Sequence, residues 1–313
     1  MNQLNYILKR ILQMIPVLII VTIVIFLGIR LIPGNPAENI LGDKASPEAI
    51  AALEKKMGLD LPLWQQYFIY IGDILHLDFG TSMRLKQPVI DLFKQKAQIT
   101  LTYALVSTMF TLAIGIPCGY IAGMTKKPFV SKGITSVALI ILSLPEFWFA
   151  ILLLFFFGLK LGWVPIGSWG STWPEHIHSI ILPAFTGAIG SVGLLIRNIQ
   201  SGVHKLLAKD YIDFAYSKGI DKSVIRSRYV IKNVMVSSIT LISMRITSML
   251  GGSVIIETVF ALPGLGSMLV SAINGRDYIL VQGTVLIYAL IVLVITLLTD
   301  ICYSFIDPRV KLQ

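Results

Sequence analysis

Charge is scarce in this chain. Asp, Glu, Lys and Arg make up 14% of its 313 residues, against about 25% in soluble domains, and 55% of the residues are hydrophobic. An ordinary water-surrounded globule is excluded, and the lipid bilayer is the expected solvent. Cysteine is scarcer still: Cys118 and Cys302 each lie inside an apolar stretch, so no disulfide framework holds the fold together. Signatures of chemistry are missing too. No Gly-x-x-x-x-Gly-Lys-Ser/Thr occurs, so the usual phosphate-cradling loop is absent. Neither Gly-x-Ser-x-Gly nor His-Glu-x-x-His is present to supply a nucleophile or a zinc pair. His176 and His178 are two apart, so on a helix they do not face each other, which argues against a metal site. No catalytic residue, metal site or cofactor bound by this chain is expected.

Six apolar stretches are long enough to cross about 30 Å of hydrocarbon at about 1.5 Å per residue. They are Ile11–Ile29, Ile99–Met124, Gly133–Leu159, Ile177–Ile196, Val234–Phe260 and Tyr278–Thr299. The third carries Glu146, the fifth carries Arg245 and Glu257, and the other four are uncharged. The first exceeds the length of a signal-peptide core and is followed by no A-x-A site, so it is read as a retained span.

The net charge of +9 marks topology rather than a nucleic-acid partner. With the N-terminus inside, the inner segments hold Lys9 and Arg10, then Lys126, Lys127 and Lys132, eight basic residues from Arg197 to Lys232, and Arg309 and Lys311. The short outer loops hold only Lys160 and Arg276. Positive charge stays on the cytoplasmic side, so both termini are expected there. Trp163, Trp169 and Trp173 crowd the third outer connection, where amphipathic rings favour the interface.

The expected domains are residues 1–32, the N-terminus and first span; 33–98, an outer segment; and 99–313, a five-span core with a cytoplasmic loop at 197–233. The outer segment balances seven basic against eight acidic residues and reads as a small helical cap. Ser46 caps a helix begun by Pro47 and ended by Gly58. A second, amphipathic helix is predicted from Leu63 to Leu75, burying Trp64, Phe68 and Ile71 and exposing Gln65, Gln66 and Asp73.

The basic loop 197–233 predicts a helical hairpin standing out of the membrane. Its first arm runs from about Leu206 to Lys218 and ends at Gly219 in a left-handed conformation. Asp221 caps a second arm from Lys222 to Lys232. Taken alone, such a basic loop is a solvated face that also meets anionic lipid.

Asp213-Phe214-Ala215 followed by Gly219 resembles the EAA loop of binding-protein-dependent ABC importer permeases, in which a short coupling helix docks on the ATPase. Asp-Phe-Ala replaces the usual acidic-Ala-Ala, and no Ile-x-Leu-Pro follows. In the dipeptide, oligopeptide and nickel branch the loop reads like DYVxxAxxKG, which Asp210-Tyr211-Ile212, Ala215 and Lys218-Gly219 approximate. LIPGNPA, MGLDLPLWQQY, LDFGTS, SLPEFW, KLGWVP, ILPAF, the run GGSVIIETVFALPGLGSMLVSAINGRDYILVQG and DPRVKL are similar to that branch in the same order along the chain.

The resemblance is to the first permease subunit of the pair. It implies an all-α, six-span type I ABC importer permease in a bacterial cytoplasmic (inner) membrane. Its implied partners are membrane lipid, a second homologous permease, an extracytoplasmic solute-binding protein, and two cytoplasmic ATPases that bind ATP and Mg. Asp210, Asp213, Phe214, Ala215, Tyr216, Ser217, Lys218, Gly219 and Ile220 are the implied coupling residues. Di- or oligopeptides are the implied cargo, with nickel or a metal chelate as the alternative. A secondary transporter would show inverted repeats, and none is evident.

Three intramembrane charges are the pathway candidates, because an unpaired charge in hydrocarbon costs at least about 2.5 kcal/mol. Counting the helical rise puts Glu146 and Arg245 near mid-depth, where they either pair or both line the pore. Glu257 belongs to ETVFALPG, to which the resemblance gives a gate-region role. Gly115, Gly119 and Gly123 form two consecutive G-x-x-x-G spacings suited to close helix approach, and Gly251-Gly252 are small as well. Pro117 and Pro145 are expected to kink their helices.

Overall fold

The computed structural model describes residues 3–31, 36–41, 45–167 and 169–306. The central part of LIPGNPA and the ending DPRVKL lie outside the described residues. Helices dominate, and among the described residues the only β pairing is an isolated bridge between Thr81 and Pro88. Four helices are long and apolar enough to cross a membrane: Leu8–Arg30, Val89–Met124, Trp173–Leu207 and Tyr278–Leu298. A fifth arises if the pair Pro128–Ser143 and Glu146–Lys160, bent by 98° at the intervening break, counts as one span. The 28-residue helix Lys232–Val259 has the length for another, though many of its side chains lie outside the described residues.

The chain forms two compact units, Met1–Gln98 with Pro263–Leu297, and Ile99–Leu262 with Leu298–Gln313. The first begins with α1 (Gln3–Arg30), whose exposed Leu12, Ile20 and Val24 form the apolar surface that lipid requires. After the short α2 (Pro36–Leu41) comes α3 (Pro47–Lys56), capped by the Ser46 side chain, which accepts from the Ala49 amide at 3.3 Å. Gly58 follows at φ +66°, the left-handed conformation expected of a residue ending this helix.

Helix α4 (Leu63–Leu75) has the expected bounds and exposes Asp73 as expected, but three other residues depart from the expected facing. Trp64 and Phe68 are exposed, while Gln66 is buried. The cause is polar. Arg30, at the end of α1, donates to Gln66 Oε1 from Nε at 3.0 Å and from Nη2 at 2.7 Å, and its guanidinium lies 3.4 Å from the centroid of the Phe26 ring. Gln66 Nε2 donates to the Leu61 carbonyl at 2.7 Å, and the Thr22 and Tyr67 hydroxyls lie 2.9 Å apart. A half-buried guanidinium without these acceptors is costlier than two exposed rings facing lipid or a partner. Gln66→Leu is expected to destabilise the α1–α4 packing by about 1.5–3 kcal/mol. Faster proteolysis of residues 45–75 would report it, and an unchanged cleavage rate would dismiss the clamp.

The rest of this unit is pinned by Asp277. Ser82 Oγ donates to Asp277 Oδ2 at 2.5 Å, and the Leu280 amide donates to Oδ1 at 3.2 Å, with Ser82 and Asp277 both buried. This joins the LDFGTS and GRDY stretches. Beside them, Val89, Leu92 and Phe93 share one core with Leu265, Met268 and Ala272 of α12 (Leu265–Asn274) and with Leu280.

In the second unit, the part of α5 (Val89–Met124) from Ile99 onward packs on α8 (Trp173–Leu207) through the glycine stripe. A Cβ at Gly115 would lie 2.8 Å from Leu195 Cδ2, one at Gly119 2.9 Å from Ile199 Cβ, and one at Gly123 2.7 Å from Val203 Cβ. The three glycines, one turn apart, therefore receive three side chains one turn apart. Gly119→Val would press its methyls into Ile199 and the Ile196 carbonyl, with an expected loss of about 1–3 kcal/mol; a thermal melt no lower than wild type would show the approach to be slack. The surroundings of Gly251 and Gly252 lie outside the described residues.

Helices α6 (Pro128–Ser143) and α7 (Glu146–Leu153), the latter continuing as a π-helical turn Leu154–Lys160, replace the single kinked span expected over Gly133–Leu159. The turn at Leu144-Pro145 is much sharper than a kink, because proline removes a donor and forces its predecessor extended: Leu144 has ψ 133°. Pro117, by contrast, sits within an unbroken helix. The rise from Gly133 no longer measures the depth of Glu146.

Candidate coupling loop and intramembrane polar cluster

The cytoplasmic loop expected at 197–233 departs from a separate hairpin in two ways. Its first arm is interrupted: α8 runs on to Leu207, and α9 (Asp210–Ser217) begins only after Ala208-Lys209, where Lys209 is extended at φ −92°, ψ 136°. Its second arm does not stop at Lys232. Lys222–Val224, a π-helical stretch Ile225–Ile231 and α11 (Lys232–Val259) follow one another without a break, so the loop is directly continuous with the helix carrying Arg245 and Glu257.

Between these arms the turn has the expected chemistry. Gly219 has φ +73°; its amide donates to the Tyr216 carbonyl at 3.0 Å and the Ile220 amide to the Ala215 carbonyl at 3.2 Å. Those two bonds form a Schellman motif, and Ile220 and Ala215 belong to one apolar cluster. The Asp221 carboxylate accepts from the Ser223 amide at 2.7 Å, and the Ser223 interaction holds its pKa below the usual aspartate range. This cap is complete at neutral pH and is lost as the carboxyl protonates below that range.

Helix α9 has two distinct faces. Ile212 and Ala215 are buried against Ile225, Val230 and Val234, which anchors the helix. Asp210, Asp213, Ser217 and Lys218 are exposed, as are the aromatic rings of Tyr211, Phe214 and Tyr216; Phe214 is 62% exposed, with Lys218 Nζ 5.3 Å from its ring centroid. Of the nine expected coupling residues, Ala215 therefore faces inward and serves as an anchor, and Ile220 is half-buried. Tyr211, absent from that set, presents a third outward ring.

Glu146, Arg245 and Glu257 fall in one neighbourhood with a residue that the charge pattern does not reveal. Tyr103, 2% exposed, lies within electrostatic range of Glu146, Glu257 and Arg245, and its phenol sits where a Cβ on Gly187 would be. Glu257 is fully buried and accepts from Thr100 Oγ1 at 2.6 Å. Arg245 Nε donates to Ser191 Oγ at 2.7 Å, so its hydrogen bond goes to a serine rather than to Glu146, although the two charges sense each other. Glu146 opens α7 and is exposed, favourably placed at the positive end of that helix. Thr100 and Tyr103 are three apart in an uncharged stretch, a spacing that puts both on one helix face.

At the expected outer connection, Thr172 and Glu175 form a capping box that starts α8. His176 stacks on Trp169 at 4.4 Å, and His178 Nε2 lies 2.5 Å from the Trp163 carbonyl, so both histidines engage the tryptophan-rich loop.

Comparison with known proteins decides what these sites belong to. Residues 115–312 match the family described as binding-protein-dependent transport system inner membrane component, and residues 3–105 match its N-terminal companion. The chain belongs to this permease family. A putative peptide transport system permease protein of Brucella abortus (strain 2308) is 38% identical over 97% of this chain and 98% of its own length. A dipeptide transport system permease protein of Alkalihalophilus pseudofirmus is 34% identical over 98% and 99%, and a glutathione transport system permease protein of Salmonella choleraesuis is 33% identical over the same shares. Among solved structures, the inward-facing MetNI methionine ABC transporter aligns with TM-score 0.56 at 15% identity, covering 70% of this permease and 97% of that chain. An amino acid ABC transporter aligns at TM-score 0.51. These likenesses carry the fold alone: the permease shares the helical architecture of ABC importer membrane subunits.

Proposed function

We propose that this permease forms half of a peptide-conducting pore, driven by ATPases that grip α9. The carrying observation is the two-faced α9 itself, anchored by Ile212 and Ala215 while Tyr211, Phe214 and Tyr216 project outward with no covering element among the described residues. A solvated charged face needs no row of exposed rings; a docking surface does. The unbroken run from Asp221 into α11 gives a direct mechanical path from that surface to Arg245 and Glu257.

In this reading six spans cross a bacterial cytoplasmic membrane with both termini inside. A second homologous permease completes the pore, and the helices of segment 33–98 form the outer cap on which a solute-binding protein docks. ATP and Mg stay on the ATPases. Their closure pulls the loop and rocks the spans between inward- and outward-open arrangements, with Glu146 and Arg245 lining the path and the buried Glu257 bracing the helices beside it. The peptide and glutathione systems named among the relatives favour peptides as cargo over nickel or metal chelates. Copurification tests the assembly: tagged permease should retain a second permease and two ATPases, and an active lone chain would refute it.

A further inference from the structure

We infer that Arg245 is the carboxylate reader of this pore, the residue that binds the negative end of a peptide as it passes. The inference rests on the reading that peptides are the cargo. Arg245 lines a cavity of about 150 Å³ together with Thr108, Thr111, Ser191, Leu195 and Met249. Its guanidinium is held by one edge only, since Nε donates to Ser191 Oγ, itself buried. Among the described residues neither terminal Nη group makes a hydrogen bond or an ion pair, and Nη2 lies over Gly190, 3.6 Å from where a Cβ would stand. The threonine hydroxyls do not supply the missing anion: Thr108 donates to the Ala104 carbonyl and Thr111 to the Ser107 carbonyl, both within α5.

A guanidinium in a membrane helix, fixed by a neutral acceptor and with neither Nη group hydrogen-bonded among the described residues, has no carboxylate in bidentate contact with it. The planar fork matches a carboxylate in bidentate geometry. Glu146 interacts with Arg245 electrostatically but opens a different helix and is exposed. A mobile carboxylate therefore fits the site better than a resident one, and a peptide brings one at its C-terminus.

The experiment uses the complete importer in proteoliposomes, with its binding protein, and compares ATP-dependent uptake of one tripeptide as the free acid and as the C-terminal amide. The same binding protein feeds every variant, so its own preference cancels when acid-to-amide ratios are compared. Arg245→Gln is expected to lower that ratio by about tenfold or more, as the loss of a charged hydrogen-bonded pair implies, by bringing acid uptake down towards that of the amide. Arg245→Lys and Ser191→Ala, which keep a positive charge but lose the fork or its anchor, should lower it by a smaller factor, and they carry the test if Arg245→Gln fails to assemble. A ratio unchanged by these substitutions overturns the inference, as does Glu146→Gln lowering it as much as Arg245→Gln. Wild-type complexes that import neither peptide form would refute the peptide reading itself, a separate result.

Discussion

Phe214→Ala should leave the permease folded and membrane-inserted yet cut ATP-driven import by about ten- to a hundredfold. The ring is 62% exposed and contributes to no apolar core cluster among the described residues, so its loss opens no cavity among them. Exposed aromatic anchors at an interface commonly carry about 2 kcal/mol or more, which for a weakly held ATPase is the difference between assembled and dissociated. The buried neighbour behaves oppositely: Ile212→Asp would place a charge against Ile225 and Val230 and is expected to unfold the loop outright. The pair is read together by import rate and by thermal melting of the permease. Equal melting losses for both would mean that Phe214 is structural and that the outward face is not the docking surface.

Removing Glu257 is expected to produce the second large effect. A fully buried carboxylate accepting a 2.6 Å hydrogen bond from Thr100 joins α5 to α11 at the point where the coupled helix nears its end. Glu257→Leu should cost about 3–5 kcal/mol, because it strips the partners that satisfy this group and leaves the Thr100 hydroxyl buried without its acceptor. Thr100→Val, which removes one donor and preserves shape, should cost about 1–3 kcal/mol. Import should fall with both and more steeply with Glu257→Leu. A Glu257→Leu permease that melts like wild type but does not import would move Glu257 from the framework to the transport path.

The features legible in the sequence are those set by local chemistry. Ser46, Pro47 and Gly58 fixed the ends of α3 because capping acts within one turn, and Gly219 with Asp221 fixed the loop tip for the same reason. Helix α4 shows where that legibility ends. Trp64 and Phe68 look like core residues in water, but a membrane protein has an apolar outside, and Gln66 turned inward to meet Arg30, thirty-six positions away. Glu146 was located by counting residues, and a count assumes a straight helix that Leu144-Pro145 does not allow. Thr100 and Tyr103 escaped because neutral polar residues barely alter an apolar window, although they touch or sense the charges that did stand out.

Under the proposed coupling, force from ATP hydrolysis enters the permease through the outward face of α9. Peptide uptake into proteoliposomes, measured with ATP as the sole energy source and again with only a proton or sodium gradient, tests it most directly. The account predicts uptake with ATP that needs the ATPases and disappears in Phe214→Ala, and none with a gradient alone. Gradient-driven uptake by the permease without ATPases would contradict it.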